Sequence, residues 1–84
     1  MNIEIKVLGP GCANCKRLYA EAEKAVTQLS APATLTKVED IRDIMAYKIL
    51  ATPALVINGE VKSAGRIPSS TEITTWLATA AMKQ

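Results

Sequence analysis

The sequence predicts a single α/β domain, residues 1–84, with the element order β-α-β-α-β-β-α and a four-stranded mixed sheet flanked by three helices. Its first half contains a strand, an amphipathic helix and a second strand in succession, which implies a right-handed crossover and a parallel pair. Its second half has an Asn-Gly dipeptide between two short strand-like segments, which indicates a hairpin. A capped helix follows the hairpin, and no repeat or linker divides the sequence.

The first strand, first helix and second strand follow from hydrophobic spacing. Apolar and charged residues alternate over residues 3–7, and the strand ends at residues 9–11, which are Gly-Pro-Gly. From Cys15 onward, apolar residues recur at steps of three and four, the spacing of one helical face. The first helix therefore begins at the cysteines, a break at residues 30–32 ends it, and residues 34–38 form the second strand.

A short second helix is predicted to run from Asp40, its N-cap, through Tyr47. Three apolar residues are expected on its inner side, namely Ile41, Ile44 and Met45. The third strand is the apolar segment 54–57. Asn58-Gly59 then forms a turn, and residues 61–64 return as the fourth strand.

The third helix is predicted to begin at Ser69-Ser70-Thr71-Glu72, a capping box that directly follows a proline. In such a box the first hydroxyl and the last carboxylate each accept a hydrogen bond from the other residue's backbone, which fixes the start of a helix. The apolar residues that follow share one face: Ile73, Trp76, Leu77, Ala80 and Ala81. We therefore expect an amphipathic helix that packs on the sheet.

Composition and charge exclude several classes of function. The ten basic and eight acidic side chains are scattered and give a formal net charge of +2, and the aromatic residues are limited to Tyr19, Tyr47 and Trp76. We therefore expect no nucleic-acid partner. The N-terminal segment alternates as a strand does rather than resembling a secretory signal, and no apolar stretch is long enough to span a membrane. These features predict a cytoplasmic protein without membrane association.

The two cysteines of the sequence, Cys12 and Cys15, lie in the stretch GPGCANCK. A Cys-X-X-Cys pair can ligate a metal, form a structural disulfide, or cycle between dithiol and disulfide, and the spacing alone does not choose among these uses. In a cytoplasmic protein a close pair is more often catalytic or metal-binding than a permanent staple.

The position of the pair at a helix N-terminus favours redox chemistry. The partial positive charge and the unpaired N–H groups there stabilise a thiolate, and cysteines at such sites have lowered pKa values. Cys12 lies at the mouth of the helix and Cys15 joins its inward face, so we expect an accessible Cys12 and a shielded Cys15. Our hypothesis is that Cys12 attacks a substrate disulfide and that Cys15 resolves the mixed disulfide.

Three segments carry a resemblance to a known family: the GCANCK helix start, the ATPALVINGEV hairpin and GRIPSSTEI before the last helix. Together with the element order they resemble the thioredoxin-like superfamily, specifically its small glutaredoxin-sized redox-active disulfide proteins of bacteria and archaea. The resemblance covers nearly the whole sequence. It implies a thioredoxin-like fold and a protein-disulfide oxidoreductase in which Cys12 is the nucleophile and Cys15 the resolving cysteine.

The resemblance also implies the molecules with which the protein reacts. The redox-active disulfide itself would serve in place of a separate cofactor or metal. Protein disulfides would be the substrates, a reductase would be the electron donor, and the protein would act as a monomer in electron transport.

A Thr-Pro pair in this family has a cis peptide bond, faces the cysteines and pairs with an extended substrate segment, and Thr52 and Pro53 match it. By the same arrangement the loop at Gly65 lies close to the Thr-Pro segment. The resemblance therefore implies substrate contacts from Thr52 and Pro53, with backbone contacts from Ala51 and Gly65.

Two departures from better-known thioredoxins affect the chemistry. Ala13-Asn14 replaces the usual Gly-Pro between the cysteines, and this dipeptide tunes the redox poise. Lys6 stands six positions before Cys12, where many thioredoxins have a buried acid. One interpretation is a lysine on an open part of the sheet, paired with Glu4 or solvated. The other is that Lys6 approaches the cysteines and favours the thiolate, since a nearby cation lowers a thiol pKa.

The main alternative function is a soft-metal module that binds or carries copper or a metalloid. Such small domains also place a Cys-X-X-Cys at the start of their first helix, where two thiolates hold a soft cation. Their element order is β-α-β-β-α-β, however, whereas this sequence ends in a predicted helix. They also lack a Thr-Pro opposite the cysteines. Structural zinc is disfavoured because a closed site needs four ligands and the sequence offers two cysteines and no histidine.

Overall fold

The computed structural model describes residues 2–30 and 32–82. It contains the seven elements in the predicted order: β1 (Ile3–Leu8), α1 (Ala13–Leu29), β2 (Ala33–Val38), α2 (Ile41–Met45), β3 (Ala54–Ile57), β4 (Glu60–Ala64) and α3 (Ser70–Met82). In the part of the chain that is described, no helix is both long and apolar enough to cross a membrane.

The four strands form one mixed sheet in the order β2-β1-β3-β4. β1 and β2 are parallel, with Leu8 opposite Val38 at the end of the pair. β3 is antiparallel to both β1 and β4, and the β3–β4 register shifts between Leu55 and Val56. The predicted parallel pair and hairpin are confirmed. Because β1 and β2 are parallel, the loops that follow them meet at one edge of the sheet.

Side-chain alternation along β1 divides the core between the two faces of the sheet. Ile3, Ile5 and Val7 are buried against α1 and α3, in the larger of two apolar clusters. On the other face Leu8 packs with Ile44 of α2 in the smaller cluster. Burying each of these large side chains contributes roughly 1.5–3 kcal/mol. Both faces of the central strand are therefore covered.

The larger cluster joins the sheet to the two long helices. Its buried members are Ile3, Ile5, Val7, Leu18, Ala22, Ala25, Leu55, Ile57, Ile73 and Leu77. α1 and α3 pack against each other on this face. α1, whose N-terminus carries the cysteines, is thus packed against both the sheet and α3.

The second helix differs from its prediction. Ile44 is buried, but Ile41 and Met45 are 61% and 68% exposed, and the helix ends at Met45 rather than at Tyr47. A helix of five residues makes less than one and a half turns, so only one of its positions faces the sheet. The expectation that Ile41 and Met45 lie on the inner side is wrong.

The predicted caps of α2 and α3 are confirmed. The Asp40 carboxylate accepts a hydrogen bond of 2.8 Å from the Arg42 N–H. At α3 the Ser69 N–H donates to the Glu72 carboxylate at 3.0 Å, and the Glu72 N–H donates to the Ser69 hydroxyl at 3.3 Å. This reciprocal pair is the capping box that the sequence indicates.

Candidate active site

The cysteine pair lies where β1 turns into α1. Cys12 is the N-cap of α1, with extended backbone angles, and its sulfur accepts a hydrogen bond of 3.2 Å from the Cys15 N–H. Cys12 and Cys15 form a disulfide, with their Cα atoms 5.0 Å apart. That separation lies within the usual range of about 4.4–6.8 Å for bridged cysteines.

The two sulfur-bearing side chains differ in exposure, as the helical register predicts. Cys12 is exposed, whereas Cys15 is only 6% exposed. Cys15 shares its helix face with Leu18 and Ala22, both fully buried in the core. A molecule in solvent therefore meets Cys12 first.

The start of α1 favours negative charge on the Cys12 sulfur once the disulfide is reduced. Its first turn contains no acidic residue. The hydrogen bond from the Cys15 N–H ends on the Cys12 sulfur, and the helix dipole has its positive end there. A donor aimed at the charged form of a group stabilises that form. The geometry therefore suits a thiolate at Cys12.

Gly9 allows three segments to meet at the cysteines. A Cβ placed on this buried residue would overlap the Cys15 sulfur and would lie 3.4 Å from the Cys15 Cβ and 3.9 Å from the Pro53 Cα. Any larger residue at this position would push α1 or the Pro53 segment away. The sequence pattern around Gly9 indicated only the end of a strand. The available signal was its place in a Gly-Pro-Gly segment directly before the cysteines.

The Thr52-Pro53 segment lies beside Gly9, and its peptide bond is cis. Pro53 is buried, while Ala51 and Thr52 are exposed. The Gly65 N–H donates a 2.9 Å hydrogen bond to the Pro53 carbonyl, and a Cβ on Gly65 would come within 2.9 Å of the Ala51 Cβ. The structure thus brings together Ala51, Thr52, Pro53 and Gly65, with Pro53 beside Gly9 and therefore near Cys15.

A small cleft of about 70 Å³ opens beside Cys15. Its lining residues are Val7, Gly9, Gly11, Cys15, Lys16, Lys37 and Glu39. The Lys37 ammonium also lies 4.8 Å from the centre of the Tyr19 ring. Lys37 and Glu39 are residues of this cleft that the sequence did not predict. The signal that could have found them is the predicted parallel pairing, which brings the end of β2 next to the loop that follows β1.

Lys6 makes its contacts on the other face of the sheet. Its ammonium donates to the Tyr47 hydroxyl at 3.3 Å and lies 3.6 Å from the Glu4 carboxylate. The Tyr47 hydroxyl, followed by the charge of Glu4, raises the pKa of Lys6 above its ordinary value. Since Lys6 and Val7 are consecutive in a strand, they face opposite sides of the sheet, and Val7 lines the cleft beside Cys15. The contacts of Lys6 agree with the interpretation in which it pairs with Glu4.

Within residues 2–30 and 32–82, no group of three or more histidine, cysteine, aspartate or glutamate side chains is arranged to hold a metal ion.

The family of the chain follows from its match to a protein-family model. A model described as a thioredoxin domain matches residues 2–78. The chain belongs to the thioredoxin family. Its membership in the thioredoxin-like superfamily, predicted from the cysteine and Thr-Pro segments, is confirmed.

Curated thioredoxins of two archaea are similar to this chain along most of its length. A thioredoxin of Methanothermobacter thermautotrophicus is 37% identical over 71 residues, which cover 84% of this chain and 92% of that protein. A thioredoxin of Methanocaldococcus jannaschii is 32% identical over 71 residues, which cover 84% of this chain and 81% of that protein.

Solved thioredoxin structures share the fold at low sequence identity. A malaria-parasite thioredoxin-2, described as a component of the protein secretion machinery, superposes with a TM-score of 0.70 at 13% identity, covering 93% of this chain and 82% of that one. The germline-specific thioredoxin Deadhead of Drosophila melanogaster gives a TM-score of 0.65 at 14% identity, covering 93% and 80%. At these identities the likeness shows the thioredoxin fold.

The family and the cysteine pair together give the chemistry. The protein is a thioredoxin-like disulfide oxidoreductase that carries out thiol-disulfide exchange through its Cys-X-X-Cys pair. The alternative of soft-metal carriage is not favoured, because the related curated proteins are thioredoxins and the pair forms a disulfide.

Proposed function

We propose that this thioredoxin reduces disulfides of protein substrates, with Cys12 as the attacking cysteine and Cys15 as the resolving one. The observation that carries the assignment is the difference in exposure: Cys12 is exposed at the helix N-cap, while Cys15 is 6% exposed. Only an exposed sulfur can approach a disulfide in another protein. The hydrogen bond from the Cys15 N–H further supports a thiolate at Cys12.

The reaction proceeds in two exchanges. The Cys12 thiolate attacks one sulfur of the substrate disulfide, and the other substrate sulfur leaves as a thiolate that takes up a proton. Cys15 then loses its proton and attacks the Cys12 sulfur, forming the Cys12–Cys15 disulfide and releasing the second substrate thiolate. Two electrons pass from the cysteine pair to the substrate.

The segment at Thr52 is proposed as the platform for the substrate chain. Thr52 is exposed and Pro53 lies beside Gly9, so an extended peptide bound near the cysteines could pair with this segment as an added strand. Ala51 and Gly65, also exposed, flank the segment and would contact the same peptide through their backbones. The hydrogen bond from Gly65 to the Pro53 carbonyl supports this role, because it holds the two loops together.

The remaining partners follow from the chemistry. Each turnover leaves the pair oxidised, so two electrons must return to it before the next turnover, and we propose a reductase as their donor. We propose that the protein works as a monomer in the cytoplasm, with no separate cofactor and with no nucleic-acid or membrane partner. The pKa-modulating role of Lys6 stays a prediction and is tested below.

Alkylation of the reduced protein near neutral pH tests the division of labour. We expect a limiting amount of iodoacetamide to label Cys12 first, as located by peptide mapping. In a matched pair of variants, Cys15→Ser should trap a mixed disulfide with a disulfide-containing protein such as insulin, and Cys12→Ser should not. Preferential labelling of Cys15, or trapping by Cys12→Ser, would reverse the assignment.

A further inference from the structure

The cleft beside Cys15 contains the carboxylate of Glu39, which has no role in the two exchange steps proposed for the cysteines. Glu39 follows the end of β2, and the hydrogen bond of 3.0 Å from the Gly9 N–H to the Val38 carbonyl holds that end against the loop before the cysteines. Glu39 and Cys15 both line the cleft of about 70 Å³. One ordered water needs only about 10–15 Å³ of such space, so the cleft that these two residues line has room for one.

Gly11 leaves space for this carboxylate. A Cβ on Gly11 would lie 3.1 Å from the Glu39 Oε2 atom, and the φ of Gly11 is +92°, which side-chain-bearing residues rarely adopt. The carboxylate therefore lies against the backbone of the loop that carries the cysteines. Two independent features, the register of β2 and the glycine, bring Glu39 to the site.

The resolving step requires a proton acceptor near Cys15. The Cys15 thiol must lose its proton to attack the Cys12 sulfur, and a side chain that is 6% exposed has little access to bases in solvent. The charged groups on the cleft are Lys16 from α1, and Lys37 and Glu39 from the end of β2. A lysine ammonium has no acceptor atom, so among these groups only the carboxylate can take the proton.

We propose that Glu39 accepts the Cys15 proton, directly or through one water, as Cys15 attacks the mixed disulfide. The inference rests on the roles of Cys12 and Cys15 given under Proposed function. The Cys15 S–H bond breaks and its proton passes to the Glu39 carboxylate. The new bond joins the Cys15 and Cys12 sulfurs, and the bond between Cys12 and the substrate sulfur breaks. The substrate leaves as a thiolate, and Glu39 later returns its proton to solvent.

Two lysines share the cleft with the carboxylate. Lys16 and Lys37 bring positive charge to the same small space. The contact of Lys37 with the Tyr19 ring holds its ammonium near α1.

The two exchanges can be timed separately with dithiodipyridine, an aromatic disulfide that releases the chromophore thiopyridone. Mixed with the reduced protein in a stopped-flow instrument, it gives a first release that depends on reagent concentration, as Cys12 attacks. A second, concentration-independent release follows as Cys15 resolves. General base catalysis contributes about 10²–10⁴-fold. In Glu39→Gln we expect the second release to slow by about 10²-fold at neutral pH, with the first release unchanged.

The direction in which the rate of the second release changes distinguishes proton transfer from a purely electrostatic effect of the Glu39 charge. Removing a negative charge near Cys15 favours its thiolate, so a purely electrostatic role predicts a faster second release in Glu39→Gln. Glu39→Asp should recover part of the rate because it restores a carboxylate. Glu23→Gln, which changes an exposed carboxylate of α1 that does not line the cleft, should behave as the wild type.

Three results would overturn the proposal: a second release that is unchanged in Glu39→Gln, one that is faster, or an equal slowing of both releases, which would indicate a structural defect. The roles of the cysteines are tested independently in the same experiment. Cys15→Ser should keep the first release and lose the second. If the second release persists in Cys15→Ser, the proposed roles of Cys12 and Cys15 fail, whatever Glu39 does.

Discussion

Gly9 is the position at which a single added carbon should disturb both the stability and the chemistry of the site. In Gly9→Ala the new Cβ overlaps the Cys15 sulfur and lies 3.9 Å from the Pro53 Cα. Both neighbours belong to segments packed in the interior, since Cys15 is 6% exposed and Pro53 is buried. Either α1 or the Pro53 segment must therefore move.

The size of the effect follows from two opposing contributions. Overpacking a filled interior typically costs about 1–3 kcal/mol. Replacing glycine by alanine at a compatible backbone position contributes about 0.4–1 kcal/mol in the other direction, and Gly9 does not have a positive φ. We therefore expect a net loss of about 1–2 kcal/mol in the free energy of unfolding. Because a misplacement of about 1 Å can cost about 10²-fold in rate, we also expect the resolving exchange to slow by about 10–100-fold.

Urea denaturation of the oxidised protein measures the free energy of unfolding, and the second release of thiopyridone measures the rate of the resolving exchange. Gly59→Ala is the matched control. Its Cβ would meet nothing within 4 Å, but the φ of +81° makes alanine unfavourable by about 1–2 kcal/mol. Gly59→Ala should thus lose similar stability with normal exchange rates. If Gly9→Ala unfolds at the wild-type urea concentration and resolves at the wild-type rate, the reasoning about this contact is refuted.

Three further predictions concern the core and the charged groups. Leu18→Ala removes a fully buried side chain of α1 and should lower the free energy of unfolding by about 2–5 kcal/mol in urea denaturation; a loss under about 1 kcal/mol would contradict the packing described here. The hydrogen bonds from Arg66, and then from a backbone N–H, hold the pKa of Glu72 below its ordinary value. The stability that these hydrogen bonds supply is therefore present at neutral pH and is lost as the pH falls through the depressed pKa of Glu72 in the folded state. In Glu72→Gln we expect the free energy of unfolding to fall less steeply on the acid side of its pH profile, and an unaltered profile would contradict this role of Glu72. In Lys6→Ala we expect the pH dependence of Cys12 alkylation to stay the same, because the Lys6 contacts lie on the other face of the sheet; a shift of that dependence to higher pH would instead support the modulating role considered from the sequence.

Much of the fold was predictable because its signals are local. The alternation along β1, the Asn58-Gly59 turn and the Ser69–Glu72 capping box each depend on a few neighbouring residues, and each forms as expected. The different exposures of Cys12 and Cys15 likewise follow from helical register alone.

The features that were missed depend on contacts between segments far apart in the sequence. The crowding at Gly9 becomes visible only when the Pro53 segment is in position. Glu39 reaches the cleft through the register of the parallel pair, which spacing along one segment does not reveal. The error at Ile41 and Met45 has another cause: a five-residue helix is too short for an apolar pattern to define a face.

The most direct test of the central claim is an equilibrium redox titration of the Cys12–Cys15 pair. The protein is held in thiol-disulfide buffers of stepped potential, quenched with acid, and its free thiols are alkylated and counted by mass spectrometry. Reversible exchange by a single dithiol predicts that both thiols disappear together in one two-electron transition, with a slope of about 30 mV per tenfold change in the ratio of the two forms. A pair that does not titrate, or that loses its two thiols independently, would contradict the account.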